Sequence, residues 1–271
     1  MVRASTVTSK RDVWRLSNGA LAAEAATVIV EEPLQILVDG TPYSVLMRTP
    51  GDDTALAAGF CLAEGLIESR AEIGSIQSCA AEDPNQVAVT RAGARASEGP
   101  PARPMQHAIA SSCGLCGREL IEDIAKNLPP SAGEYLTSAQ DLLALGRRLQ
   151  EEQRYFQPTG GTHAAGLFDA SGELLAAAED VGRHNALDKA IGRLLLDDRL
   201  GEAKVAVLSG RCSFEMVQKA ARAGIPVVAA VSAPTALAIE LAERAGLALV
   251  GFLRDTTLTV YVEAGRIEGL R

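Results

Sequence analysis

Aromatic residues are scarce in this 271-residue chain: they make up 4%, with a single tryptophan, Trp14. That scarcity excludes the stacking platforms on which proteins hold single-stranded nucleic acid, and it leaves Ala, Val, Leu and Ile to build the core. Five cysteines, Cys61, Cys79, Cys113, Cys116 and Cys212, form an odd set with no paired framework. A disulfide-stapled secreted scaffold is therefore disfavoured, and reduced thiols in a cytoplasm are expected. Positive charge is short as well: 26 Lys and Arg stand against 34 Asp and Glu, a net charge of −8. Generic attraction to nucleic acid or anionic lipid is not expected, so an anionic ligand would need a local cluster of arginines. Long apolar runs are missing too. The first 20 residues hold no secretory-type stretch, and the longest later apolar region is cut by Pro226, Ser232, Pro234, Glu240 and Glu243, so neither a signal peptide nor a membrane span is expected.

What is present is core-forming material. With 47% hydrophobic and 22% charged residues, the chain suits one large domain or two modest ones. Residues 1–24 read as a weakly ordered arm, and a small α+β subdomain is expected over 25–91. Within it, segments 26–36 and 43–48 flank Asp39-Gly40, a hairpin dipeptide. Asp52 is placed to cap a helix over 54–67, and short strands are expected at 73–79 and 86–90. The Gly/Pro/Ala-rich segment 92–110 reads as a flexible connection to an α/β domain over 111–271. There an amphipathic stretch at 118–128 ends at Pro129-Pro130, and a helix over 138–155 has Thr137 and Gln140 in capping-box spacing. Next come a hairpin (163–168 and 173–178), helices at 185–196, 214–223 and 235–245, and strands at 204–208, 225–231, 247–252 and 258–262. The expected architecture is a mixed sheet sandwiched by helices.

Two features carry chemistry. Cys113-Gly114-Leu115-Cys116 stands directly before a helical stretch, whose N-terminal N–H groups and positive dipole end stabilise a thiolate. A CxxC is equally half of a zinc site, although Cys61, Cys79, Cys212, His107, His163 and His184 supply no second ligand pair. The other feature is a recurrence at strand-to-helix junctions: Gly182-Arg183-His184, Ser209-Gly210-Arg211-Cys212-Ser213 and Ser232-Ala233-Pro234-Thr235. Such junctions lie along the carboxyl edge of an open α/β sheet, where helix N-termini suit phosphates. An arginine there is opposed by the helix dipole, so Arg183 and Arg211 point to a bound anion, with Ser209 and Ser213 assisting. Pairing with Glu179, Asp180 or Glu215 is the alternative. Phe252-Leu253-Arg254-Asp255-Thr256-Thr257 extends the same rim, whereas His163, a lone histidine starting a strand, reads as structural.

Together the segments SSCGLCGRE (111–119), TGGTHAAGLFD (159–169), EDVGRHNALDKAIG (179–192), LSGRCSFEMVQKAARAGIPVVAAVSAPTALAIELAE (208–243) and GFLRDTTLTVY (251–261) resemble the FdhD family of formate dehydrogenase accessory sulfurtransferases. The likeness runs over nearly the whole chain from about Ala25. It implies a cytidine-deaminase-like three-layer α/β domain with a mixed sheet. The deaminase chemistry is absent, since no His-x-Glu occurs and no proline precedes the CxxC. It also implies that Cys113 carries sulfur from a cysteine desulfurase as a persulfide, with Cys116 supporting. The acceptor would be the bis-molybdopterin guanine dinucleotide form of the molybdenum cofactor, bound in part by Phe252, Leu253, Arg254, Asp255, Thr256 and Thr257 and destined for formate dehydrogenase. Arg183, His184, Ser209, Gly210, Arg211 and Ser213 complete the expected cofactor site, a guanine nucleotide would mimic the cofactor, and no metal is ligated by the protein. Members are typically cytoplasmic homodimers. Two other readings remain: a CxxC thiol-disulfide oxidoreductase, and a nucleotide-binding chaperone with structural zinc. The first is weakened by the polar, Pro-containing approach Ala102 to Ser112.

Overall fold

The computed structural model describes residues 6–79, 83–93, 128–129 and 135–270. Cys113, Cys116, the 118–128 stretch except Leu128, and the expected connection from residue 94 onward lie outside the described residues.

The chain opens with a long hairpin, β1 (Thr8–Ser17) and β2 (Ala20–Ile29), paired antiparallel so that Ser17 faces Ala20 and Leu16 faces Leu21. Asn18-Gly19 turns it, both residues at positive φ (51° and 81°), which is the geometry a two-residue hairpin turn demands. Over residues 8–24 this replaces the expected arm. The strand signal is weak because half of β2 is alanine, so the turn dipeptide is the strongest local cue. Strand β2 ends at Ile29, and the segment read as continuous over 26–36 breaks before the next strand.

That next strand, β3 (Glu32–Val38), pairs with β4 (Thr41–Arg48) across the Asp39-Gly40 turn, and β5 (Ile73–Ser78) pairs with β6 (Gln86–Arg91). The sheet order is β4-β3-β6-β5. Between β4 and β5 runs α1 (Asp53–Ala63), nine of whose eleven residues are buried. A helix apolar on all sides has to be enclosed. Asp52 occupies the N-cap position as expected, but it is left-handed and its side chain makes no cap bond; it pairs with Arg193 instead.

The remaining elements are α2 (Ala139–Glu151), α3 (Phe156–Thr159), β7 (His163–Phe168), β8 (Leu174–Asp180), α4 (Arg183–Leu196), β9 (Val205–Leu208), α5 (Phe214–Arg222), β10 (Val227–Ala230), α6 (Ala236–Ala245), β11 (Ala248–Gly251) and β12 (Thr259–Val262). Helix α2 begins one residue later than expected: Ser138 and Asp141, not Thr137 and Gln140, form the capping box. The strands make a six-stranded mixed sheet in the order β12-β11-β10-β9-β7-β8, with β9, β10 and β11 parallel. The α/β class and the mixed sheet between helices are as expected. Side chains alternate across the sheet. Val205, Val207, Val227, Ala229, Ala248 and Val250 face Leu142, Leu145 and Leu149 of α2, while Ala206, Leu208, Val228 and Leu249 belong to the core on the side of α4, α5 and α6.

That second core continues through α1 to Leu34, Ile36, Val38, Val87 and Val89 of the four-stranded sheet. The continuity depends on two glycines where α1 and α4 touch backbone to backbone. A Cβ on Gly59 would stand 2.0 Å from the carbonyl oxygen of Asp188, and one on Gly192 would stand 1.8 Å from that of Ala55. Neither contact can give without separating the helices. Gly59→Ala and Gly192→Ala are therefore expected to lose on the order of 3 kcal/mol in urea unfolding, despite the better helix propensity of alanine. Gly201→Ala, with nothing within 4 Å, should change stability by a few tenths at most.

Candidate functional site

The site is built by strand direction. Parallel β9, β10 and β11 finish at Leu208, Ala230 and Gly251, and antiparallel β7 and β12 begin beside them at His163 and Thr259. Strand β8 ends at Asp180 opposite His163. One sheet edge therefore gathers His163, Asp180–His184, Ser209–Ser213, 231–235 and Phe252–Thr257. Backbone bonds knit the neighbours together: Ser232 N–H donates to the Gly210 carbonyl at 3.3 Å, and Phe252 N–H to the Ser232 carbonyl at 3.2 Å.

Asp180 shapes the first loop. Its carboxylate is fully buried and accepts from the Gly182 N–H at 2.8 Å, the Asn185 amide at 3.0 Å, the Thr49 N–H at 3.1 Å and Lys189 Nζ at 2.7 Å. Such a saturated carboxylate has nothing left for Arg183. Glu179 is equally committed, accepting from the N–H groups of Tyr155 and Phe156 and from the Thr162 hydroxyl. Glu215 is held by His184 at 2.7 Å, and this partner keeps its carboxyl below the ordinary range. Pairing of Arg183 or Arg211 with Glu179, Asp180 or Glu215 does not occur. Arg183 Nε is buried and has no hydrogen-bond partner among the described residues.

The two helices that start at this edge are also open to a ligand. Gly182, the N-cap of α4, and Ser213, the N-cap of α5, make no side-chain cap bond, so the first N–H groups of both helices keep their capacity for an anion. Ser213 instead lies 3.4 Å from His184 Nε2. Ser209 Oγ accepts from the Ala164 N–H at 2.8 Å, leaving its own proton available. Gly210 packs closely on His163: a Cβ there would sit 3.1 Å from His163 Nδ1, so the imidazole would have to shift by a few tenths of an ångström. Arg183, His184, Ser209, Gly210, Arg211 and Ser213 thus lie together at this edge.

Phe252 to Thr257 lie on the same edge, one strand further along. Phe252 is exposed at φ 50°, and Arg254, Asp255, Thr256 and Thr257 are exposed, with Arg254 N–H bonded to the Thr257 carbonyl at 2.8 Å. Leu253 differs: it is 2% exposed and stands against Gly146 of α2, so its side chain serves the core and only its backbone can meet a ligand. His163, read as structural, lies within the basic cluster. Burial, with Arg183, His184 and Arg211 adding to it against Asp180, lowers its pKa. The signal that could have found it is strand order, which is not local. Cys61 and Cys212 are buried, and burial pushes both thiols up to about 12, leaving them inert near neutral pH. Among the described residues no three His, Cys, Asp or Glu side chains gather to hold a metal.

The model of the FdhD/NarQ family matches residues 29–268. The chain belongs to the FdhD/NarQ family. Relatives named sulfur carrier protein FdhD include those of Mycolicibacterium paratuberculosis, 44% identical over 96% of this chain and 99% of the relative, and of Streptomyces coelicolor, 44% identical over 96% of each. A crystal structure from Desulfotalea psychrophila described as a formate dehydrogenase accessory protein superposes with a TM-score of 0.80 at 24% identity. It covers 97% of this chain and 100% of its own, so the two chains share a fold. No helix among the described residues is long and apolar enough to cross a membrane.

The basic cluster gives a pH-dependent expectation. With its folded pKa below the usual 6.5, His163 is neutral at pH 7. The unfolded chain takes up this proton first, so the residue's contribution to stability, present above 6.5, is lost as pH falls below 6.5 and through its lower folded pKa. In a 15N-detected histidine titration, His163 should titrate below 6.5 in the free protein and move upward when inorganic pyrophosphate screens Arg183 and Arg211. An unmoved titration at saturating pyrophosphate would show that the anion sits elsewhere.

Proposed function

We propose that this protein is a sulfur carrier serving formate dehydrogenase. It accepts sulfur on Cys113 from a cysteine desulfurase and delivers it to the bis-molybdopterin guanine dinucleotide form of the molybdenum cofactor. The observation that carries the reading is the pair of arginines at the sheet edge, in no ion pair among the described residues and flanked by two uncapped helix starts, in a chain of net charge −8. A dinucleotide pyrophosphate is an anion of the size and charge such a site suits. The names of the relatives, sulfur carrier protein FdhD, favour sulfur as the group carried. The hairpin-first order β8-β7-β9-β10-β11 supports the cytidine-deaminase-like reading of the larger sheet. We further propose that the protein works as a cytoplasmic homodimer.

The chemistry balances as follows. The Cys113 thiolate attacks the outer sulfur of the donor's persulfide; the donor's S–S bond breaks, the donor leaves as thiolate, and a new S–S bond stands on Cys113. Delivery at the sulfide level requires two electrons. Attack of the Cys116 thiolate on Cys113 Sγ releases hydrosulfide to the cofactor and leaves a Cys113–Cys116 disulfide, which a dithiol reductant then resets. Arg183 and Arg211 hold the cofactor's phosphates, Ser209 and Ser213 donate to them, His184 keeps Glu215 from opposing the bound anion, and Arg254 with Thr256 and Thr257 extends the contact.

The test is incubation with a cysteine desulfurase and cysteine, followed by peptide mass mapping and zinc determination. One added sulfur on the Cys113 peptide, absent in Cys113→Ala, is expected, together with loss of formate dehydrogenase activity in cells carrying that variant. Stoichiometric zinc without sulfur uptake would identify a zinc-bearing chaperone instead. Turnover of a Cys113–Cys116 disulfide without sulfur uptake would identify a thiol-disulfide oxidoreductase.

A further inference from the structure

The amino-terminal hairpin presents an apolar face to solvent. Opposed residues of an antiparallel pair share a face, and the register sets Asp12 opposite Ala25, Trp14 opposite Ala23 and Leu16 opposite Leu21. Trp14, Leu16, Leu21, Ala23 and Ala25 therefore stand together on one side of the ribbon. Trp14, the sole tryptophan of the chain, is 74% exposed, with Leu16 and Leu21 at 67% and 66%. The opposite side carries Arg11 and the ion pair of Arg15 with Glu24. One side apolar and one side charged is the construction of half a β-sandwich.

The ribbon is anchored at its base. Val30 N–H donates to the Val7 carbonyl at 2.9 Å, and Ile29 stands against Gly161, where a Cβ would sit 2.9 Å from Ile29 Cγ2. From there the ten-residue strands reach out by roughly 30 Å. A two-stranded ribbon is marginal in water unless its apolar side packs on something. A tryptophan exposed among leucines marks such a side as an interaction surface.

We infer that this face seats the same face of a second copy of the chain, the two hairpins clasping as a small four-stranded sandwich. The face is self-complementary about a two-fold axis that runs along the ribbons. Each β1 then lies over the other copy's β2, which sets Trp14 over Ala23 of the partner subunit, large on small, and Leu16 over Leu21 of the partner subunit. Charge agrees with that direction. Asp12 meets Ala25 of the partner subunit and Lys10 meets Thr27 of the partner subunit, so no like charges face each other; ribbons running the opposite way would bury Lys10 and Asp12 under leucines. The area also suffices, since the face offers roughly 500 Å² per copy and two such faces reach the ~1,000 Å² that a specific interface needs. The inference rests on the homodimer reading above and names the surface that serves it.

Sedimentation and tryptophan fluorescence of the full-length protein over a dilution series decide it, because all the tryptophan emission comes from Trp14. As the dimer dissociates, that emission should move to longer wavelength in step with the loss of mass. Trp14→Ser, and separately Leu16→Ser combined with Leu21→Ser, should weaken the dimer at least about tenfold. Leu237→Ser on α6, also at an exposed leucine, should leave it within about twofold. A dimer whose Trp14 emission stays at long wavelength, or one that survives the hairpin substitutions, would overturn the clasp and leave the homodimer reading standing. A protein monomeric at every concentration would overturn both. Short-wavelength emission from the monomer would put the cover within the chain itself, and emission that shortens only when a cysteine desulfurase is added would give the face to that partner; either result overturns the inference.

Discussion

Everything at the sheet edge depends on one buried carboxylate. Asp180 ends β8, and its four hydrogen bonds reach the Gly182 turn, the first turn of α4, the loop after β4 and Lys189. Lys189 in turn donates to the Thr49 carbonyl at 2.7 Å. Transfer of such an ion pair from water is costly unless every lone pair and proton is satisfied. Here the satisfaction is shared between the start of α4 and the loop after β4, more than 130 residues away, so the geometry of the Gly182-Arg183 turn is fixed partly by a tertiary contact. Because Lys189 and the amide donors use up the charge of Asp180, Arg183 keeps its own for a ligand.

The same economy of partners explains why two sheets form one body. The glycines at 59 and 192 let α1 and α4 meet at backbone distance, and α4 then carries its second buried ion pair, Asp188 with Lys219 of α5 at 2.8 Å. Burial raises the Asp188 carboxyl, and the lysine opposes that shift. A helix so held on both sides has no freedom to slide. Its N-terminus, where Arg183 stands, is thereby as rigid as the core.

Much of this edge was legible in the sequence because its signals are local. Strand-then-glycine-arginine patterns at 182–183 and 210–211 mark junctions, and Asp39-Gly40 marks a turn, with no knowledge of neighbours required. The amino-terminal hairpin was not legible, since Ala20, Ala22, Ala23, Ala25 and Ala26 carry no strand periodicity and only Asn18-Gly19 announces it. The capping of α2 was misread by one residue because Thr137 and Ser138 are both competent caps; the bridge of Thr137 to Ile267 decides between them. The cleft lined by Phe156, His163 and Ser209 was invisible for a different reason. Its wall, beside His163, exists only when the Glu179 carboxylate on β8 reaches back 23 and 24 residues to the N–H groups of Phe156 and Tyr155.

The electrostatic argument can now be closed with magnitudes. An arginine in the first turn of a helix is opposed by the dipole by roughly 0.3–1 kcal/mol, and a buried donor without a partner costs about 1–3 kcal/mol. Arg183 carries both penalties. Relief of about 2 kcal/mol on anion binding corresponds to more than tenfold in affinity, obtained from strain already present in the free protein. An acidic chain repels polyanions at long range, and that repulsion is screened over about 8 Å at physiological ionic strength. Arg183 and Arg211 act inside that distance. Net charge therefore rejects anions that cannot reach the edge, and the edge holds those whose shape lets them arrive.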